Sequence, residues 1–286
     1  VDVGLPQIEK FVGRGECLGE KIMDAPILDY FNEEGLINKE SYLRNSKEDF
    51  DRVMLLKEYQ IDTALLIFHK NIDEIINNGK LEEFYNFTNA SNVNKCYIYD
   101  KKFVVALSPL GGSAAGGLME ELGFMGIKNF FACGSAGQID QSIDSTAFVL
   151  VNRAIRCEGA SYHYLEPSLY IETDKDLTNF VANYLKNNNY TFNNSITWTT
   201  DAFYRETASE VELRKSQGAV CVEMECASWS AIAKFRGYKF AQLLYFSDAV
   251  KQEGWKWHPT KNELKIAVIK IMLACVEEFI KTEGKE

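Results

Sequence analysis

Two apolar strand patterns that each end in an acidic residue constrain the fold of this chain most. The first, 219–222, leads directly into Glu223 and Glu225 and then into a helical pattern over 226–235. Carboxylates at this position can cap the following helix, whose free N–H groups favour negative charge. They can also face the crevice at the carboxyl ends of strands, where open α/β sheets bind ligands.

The second strand pattern, 240–246, ends in Ser247 and Asp248. Two neighbouring strand ends that carry carboxylates can hold a polyhydroxylated ligand and deliver a proton to it. A capping role alone remains the alternative for each glutamate.

Strand and helix patterns alternate along the whole chain, which is typical of an α/β sheet. No repeat, low-complexity linker or domain boundary interrupts them. We therefore predict one domain over residues 1–286, with 1–60 as a candidate arm or oligomer-contact region. The remaining predicted strands are 62–68, 95–99, 103–108, 129–133, 147–156 and 196–200, and the remaining helices are 72–84, 113–122, 176–187, 211–217 and 262–280.

Charge and cysteine content exclude several classes of function. The net charge is 31 − 41 = −10, which argues against nucleic acid as the main partner. No apolar run reaches the length of a membrane span. The seven cysteines form no CxxC pair, which favours reduced thiols and a cytoplasmic location. His69, His163 and His258 are far apart in sequence, so we expect no metal site.

Two glycine-rich segments follow predicted strands, at 107–113 and 134–137. Glycine lets backbone N–H groups approach an anion or a sugar closely, and the first segment leads into a helix whose positive end favours anions. Neither segment is a P-loop or a dinucleotide motif, and tight strand–helix turns would explain both.

An aromatic pair beside a charged pair occurs at 203–206, as Phe203, Tyr204, Arg205 and Glu206. An aromatic side chain can stack on a flat heterocycle, and the charged side chains can form hydrogen bonds with its edge. In the alternative interpretation the aromatic rings fill the core, and the charged residues pair on the surface.

In this order, the segments resemble the nucleoside phosphorylase superfamily, which includes purine nucleoside and uridine phosphorylases and methylthioadenosine nucleosidases. The resemblance covers about 104–250 and extends more loosely to the C-terminus. It rests on the glycine pair followed by a helix, GSAG, R-x-x-G-A-S-x-H, DAFY, VEME and SD. It implies a central mixed sheet, partly closed into a barrel and flanked by helices. It also implies cleavage of a ribosyl N-glycosidic bond by a homo-oligomer of two, three or six subunits.

The resemblance also implies a role for each candidate. Glu225 would bind the ribose hydroxyls with Met224 packed on the sugar, and Glu223 would lie close to the sugar or base. Phe203 would stack on the base, with Arg205 at its edge, and Asp248 would protonate a purine leaving group. The phosphate or nucleophile side would be formed by Ser108, Gly111, Gly112 and Ser135.

Two departures from the family pattern concern the co-substrate and the base. An arginine usually precedes the GSAG-like serine by three residues, and here that position is Ala132. The uracil-reading Gln-x-Arg pair would fall at Thr207 and Ser209, which cannot perform that role. An arginine elsewhere, at position 14, 153, 156 or 205 or from a neighbouring subunit, could replace the missing one. The leading hypothesis is a nucleoside phosphorylase that uses inorganic phosphate and no other cofactor, with purine favoured over uridine. A phosphate-independent nucleosidase is the first alternative, and a non-catalytic nucleoside-binding protein is the second.

Overall fold

The computed structural model describes residues 33–69, 72–76, 79–89, 92–251 and 254–284. Within them, helices flank one mixed sheet of eleven strands. The helices are α1 (Lys39–Asn45), α2 (Lys47–Glu58), α3 (Ile72–Ile75), α4 (Gly112–Met125), α5 (Lys175–Asn187), α6 (Ala208–Ser216), α7 (Cys226–Arg236) and α8 (Lys261–Thr282). The strands are β1 (Thr63–Ile67), β2 (Leu81–Asn89), β3 (Asn92–Tyr99), β4 (Phe103–Leu107), β5 (Asn129–Gln138), β6 (Phe148–Cys157), β7 (Tyr170–Glu172), β8 (Phe192–Thr200), β9 (Ala219–Glu223), β10 (Lys239–Lys251) and β11 (Gly254–Trp257).

Five of the strands close into a ring. Strand β10 pairs with both β5 and β6, and the circuit continues from β6 through β8 and β9 back to β5. From β5 the sheet extends outward through β1, β4, β3 and β2. Parallel and antiparallel pairs both occur. The predicted central mixed sheet, partly closed into a barrel, is confirmed.

Strand β1 shows why the central strands are apolar throughout. Successive side chains of a strand point to opposite faces of the sheet. Ala64 and Leu66 lie in one core cluster with residues of α2, α4 and α7, whereas Leu65 and Ile67 lie in another with residues of α5 and α8. A strand covered by helices on both faces needs apolar residues at every position.

Local signals fix several helix ends. The Asp174 side chain accepts a hydrogen bond from the backbone N–H of Leu177 at 2.8 Å and caps α5. Helix α7 ends at Gly237, which adopts the left-handed conformation that favours glycine. Arg236 makes a two-pronged ion pair with Glu120, at 2.8 to 3.1 Å, which ties α7 to α4.

The single-domain organisation stays a prediction. Most of the predicted arm, residues 1–32, lies outside the described residues. Residues 39–58 form α1 and α2, and α2 buries Val53 and Leu56 against the core cluster that includes α4. None of the helices in the described residues has the length and apolar character to cross a membrane.

Among the predicted elements, one helix and two strands differ most from the structure. The helix predicted over 72–84 ends at Ile75, and its last residues belong to β2. Leu-Glu-Glu at 81–83 favours a helix by local propensity, but pairing with β3 prevails. Strands β5 and β10 both continue past their predicted ends, so GSAG and Ser247-Asp248 lie within strands and not in turns.

Candidate active site

A cavity of about 670 Å³ lies beside β5, the end of β9 and the last part of β10. Six of the ten predicted site residues line it: Ser135, Phe203, Glu223, Met224, Glu225 and Asp248. The other residues of its wall are Phe68, Leu110, Ala136, Gly137, Tyr204, Glu206, Val222, Ser247, Val250, Trp255 and Trp257. The two strand ends singled out in the sequence therefore meet at one cavity.

Glu225 connects β9, α7 and α4. It occupies the position before α7 and is buried, and its Oε1 accepts a hydrogen bond from the backbone N–H of Gly111 at 2.6 Å. Gly111 immediately precedes α4, so the Glu225 carboxyl occupies the positive end of that helix. Burial, followed by the charge of Glu223, raises the pKa of Glu225 to about 8.

Glu223 uses both carboxyl oxygens within the protein. Thr199 donates its hydroxyl to Oε1 at 2.5 Å, and the backbone N–H groups of Glu225 and Cys226 donate to Oε2 at 2.8 and 2.7 Å. Burial raises the Glu223 pKa, while these hydrogen bonds lower it. The carboxyl thus caps α7 and orients Glu225, which is the capping alternative foreseen in the sequence.

A β-bulge orients Asp248. Phe246 pairs with Ala136 and Asp248 pairs with Gly137, which leaves Ser247 as an extra residue in β10. The absence of a side chain at Gly137 makes room for the carboxyl, because a Cβ there would lie 3.2 Å from Asp248 Oδ2. Ser247 Oγ donates to Oδ1 at 2.5 Å, and Trp255 Nε1 donates to Oδ2 at 2.8 Å.

The glycines of the two predicted turns serve packing. A Cβ at Gly134 would lie 2.9 Å from the ring of Phe68, and one at Gly112 would lie 2.2 Å from Ser228 Oγ. Gly111 has a φ of 91°, which favours glycine.

The predicted phosphate side is only partly represented in the cavity wall. Ser135 is exposed on β5 and lines the cavity. Ser108 is buried and donates its hydroxyl to the Pro109 carbonyl at 3.0 Å. Neither Ser108 nor the two glycines at 111 and 112 line the wall, although Leu110 between them does.

The aromatic pair at 203–204 lies at the surface, so the interpretation in which it fills the core is wrong. Phe203 is 44% exposed and Tyr204 is 89% exposed, with ring centroids 4.1 Å apart. Arg205 is exposed and outside the cavity wall, whereas Glu206 is partly buried and lines it. His163 is also exposed and outside the wall.

Residues 70–281 match the family model of the phosphorylase superfamily, which covers well over half of the chain. The chain belongs to the phosphorylase superfamily. The family predicted from the motifs is thereby confirmed.

The sequence identity between this chain and its relatives is low. It is 25% identical over 130 residues to guanosine phosphorylase of Halorubrum lacusprofundi, covering 46% of this chain and 54% of that protein. It is 23% identical over 153 residues to uridine phosphorylase of Escherichia coli, covering 49% and 60%. It is also 25% identical over 160 residues to the uncharacterized protein R802 of Acanthamoeba polyphaga mimivirus, covering 54% and 59%. The chain thus spans between about half and three-fifths of the length of these relatives.

The cavity of this phosphorylase superfamily chain is acidic. Among its described wall residues are four carboxyls and no lysine or arginine. Ala132 is fully buried in β5. Arg156 donates to Ser161, Ser168 and two backbone carbonyls, and Arg153 stacks on Tyr170, 4.4 Å from the ring centroid. Arg14 lies outside the described residues.

Part of the cavity wall is not predicted from the sequence. Trp255 and Trp257 lie on β11, a short exposed strand that pairs with β10 and brings their rings within 4.5 Å of each other. The sequence does carry a signal for this hairpin, because Gly254 is followed by two tryptophans that are separated by one residue. Phe68 reaches the wall from the end of β1, and no local pattern in the sequence indicates this.

Proposed function

We propose that this chain cleaves the N-glycosidic bond of a purine nucleoside with inorganic phosphate, giving free base and ribose 1-phosphate. The observation that carries the proposal is one cavity whose wall holds Phe203, Glu225 and Asp248 together. These residues supply a ring for the base, a carboxyl for the sugar and an acid for the leaving group. The names of the relatives, guanosine phosphorylase and uridine phosphorylase, support phosphorolysis.

The charges of the reaction match the arrangement. Bond cleavage builds positive charge on the sugar and negative charge on the departing base. Glu225 would hold the ribose hydroxyls and orient the sugar, with Met224 packed against it. Asp248 would protonate the base as the bond breaks. Phosphate would approach from the side of Ser135 and the start of α4, where Gly111 offers a backbone N–H once Glu225 turns to the sugar.

A purine base is supported by Asp248 and by the positions that would read uracil. Thr207 caps α6 by accepting from the backbone N–H of Glu210 at 3.4 Å, and Ser209 lies in the first turn of that helix. Neither belongs to the cavity wall. Arg205 at the base edge stays a prediction that requires its side chain to turn inward.

A phosphate-independent nucleosidase is the second candidate, and the acidic wall favours it. A dianionic phosphate would enter beside four carboxyls, without a lysine or arginine from the described wall. Water carries no charge and needs no such partner.

The deciding experiment measures base release from adenosine, inosine, guanosine and uridine by chromatography, with enzyme freed of phosphate and then with phosphate added. We expect purine release only with phosphate, together with ribose 1-phosphate. Equal release without phosphate would establish hydrolysis. No release from any nucleoside, in the presence of saturable binding, would leave a binding protein.

We also propose a homo-oligomer in the cytoplasm. The oligomer is supported by Leu36 and Ile37, which are 94% and 78% exposed within the segment predicted as an oligomer contact. Light scattering on the purified chain measures its mass, and a monomer would contradict the proposal. The location is supported by unpaired cysteines at 96, 133, 157, 221, 226 and 275, and cell fractionation tests it.

A further inference from the structure

Glu206 is an acidic residue of the cavity wall to which the proposed reaction gives no role. It follows the helical turn at Phe203–Arg205 and directly precedes Thr207, the cap of α6. In the part of the chain that the structure describes, no hydrogen bond is made to its carboxyl. The other three wall carboxyls all accept hydrogen bonds from the protein. Glu206 is therefore the member of this group that is left for a ligand.

The charged groups around Glu206 are acidic. Asp248 on β10 and Glu210 on α6 act on it, and Glu223 and Glu225 lie in the same cavity wall. Burial, followed by the charges of Asp248 and Glu210, raises the pKa of Glu206 to about 7. A carboxyl in this position retains a proton under conditions where an exposed glutamate has lost it.

Asp248 is placed differently. Both of its oxygens accept hydrogen bonds, from Ser247 and Trp255, and its negative charge favours the protonated form of Glu206. Two ionised carboxyls in one cavity wall repel each other, and a proton held by Glu206 removes that repulsion.

We propose that Glu206 and Asp248 form one proton-donating pair, in which Glu206 keeps the proton that the departing base receives. This inference rests on the proposed glycosidic cleavage and adds a residue to it. When the C1′–N bond breaks, its electrons remain on the base nitrogen, which takes the proton from Glu206. A phosphate or water oxygen forms the new bond to C1′. The proton that this oxygen loses passes to solvent, and the pair regains one from solvent.

The test compares inosine with 7-methylguanosine, whose ring already carries a positive charge, so that its base leaves without a proton. For Glu206→Gln, we expect kcat with inosine to fall on the order of 100-fold, the lower end of what general acid catalysis contributes. We expect kcat with 7-methylguanosine to stay at the wild-type value. In the wild type, kcat with inosine should decline above pH 7, and this decline should be absent in the variant.

The matched control is Glu212→Gln. Glu212 is an exposed carboxyl on α6 and is absent from the cavity wall. We expect it to leave kcat unchanged with both substrates. Equal losses of Glu206→Gln on inosine and 7-methylguanosine, or no loss on inosine, would overturn the role of Glu206 while leaving the proposed function intact. A wild-type protein that cleaves neither substrate would overturn both.

Discussion

Residues that take no part in the proposed reaction build the environment of the Asp248 carboxyl. The bulge at Ser247 orients its side chain, Gly137 leaves it space, and Trp255 holds one oxygen. We expect Asp248→Asn to lower kcat on purine nucleosides by about 10² to 10⁴, the range of general acid catalysis. The fold should persist, because the amide has the same shape and keeps one oxygen to accept a hydrogen bond.

Steady-state kinetics and thermal melting of Asp248→Asn check this prediction together. Trp255→Phe is the graded companion, since it removes one hydrogen bond to the carboxyl and leaves the acid in place. A smaller loss of kcat is expected for it than for Asp248→Asn. Near-normal rates in Asp248→Asn on inosine would remove Asp248 from the acid role.

At the scale of secondary structure elements, the contact between α4 and α7 explains Gly112 without reference to a ligand. A Cβ at this position would lie 2.2 Å from Ser228 Oγ, and that hydroxyl also donates to the buried Glu158 at 2.6 Å. We expect Gly112→Ala to destabilise the protein by about 1 to 3 kcal/mol through overpacking. Urea unfolding measures the loss, and adding Ser228→Ala should restore part of it.

Gly117 on the same helix is the matched control. A Cβ there would meet the ring of Phe87 at 3.4 Å, an ordinary contact. Alanine is favoured over glycine inside a helix by about 0.5 to 1 kcal/mol, so Gly117→Ala should be neutral or stabilising. Equal stability of the Gly112 and Gly117 variants would show that α4 and α7 separate easily.

The elements also show what sequence alone can predict here. Strong periodic segments, such as β1, α5 and α8, are recognisable because covered strands and amphipathic helices leave local patterns. The glycines of GSAG suggest a turn, whereas the segment lies within β5. Their reason lies in Phe68 and Asp248, which approach from distant strands. Likewise, the hydrogen bond between Gly111 and Glu225 joins residues 114 positions apart, and no local pattern reveals it.

At the scale of the whole molecule, the burial of several carboxyls in one cavity lowers the free energy of unfolding once they ionise. Glu206, Glu223 and Glu225 line one cavity, and burial raises the pKa of each above the usual 4.5. A carboxyl whose pKa is higher in the folded chain binds protons more tightly there than in the unfolded chain. Its contribution to stability is therefore complete below pH 4.5 and is lost as pH rises through the folded value.

For Glu225, that window runs from about 4.5 to about 8. We expect the free energy of unfolding of the wild type to fall across this range as the buried pair is forced to ionise. Glu225→Gln removes one of these titrations, and its amide oxygen can still accept from Gly111. The slope of stability against pH should therefore be shallower in this variant, and its advantage over the wild type should grow towards pH 8.

Urea unfolding at pH 5, 6, 7 and 8 measures the slope, with the exposed Glu212→Gln as the control for loss of one carboxylate. If Glu225→Gln and Glu212→Gln both kept the wild-type slope, the Glu225 carboxyl would already be ionised in the folded chain across this pH range. A phosphate dianion would then face a permanent negative charge in that wall, so the same series bears on whether phosphate or water is the nucleophile.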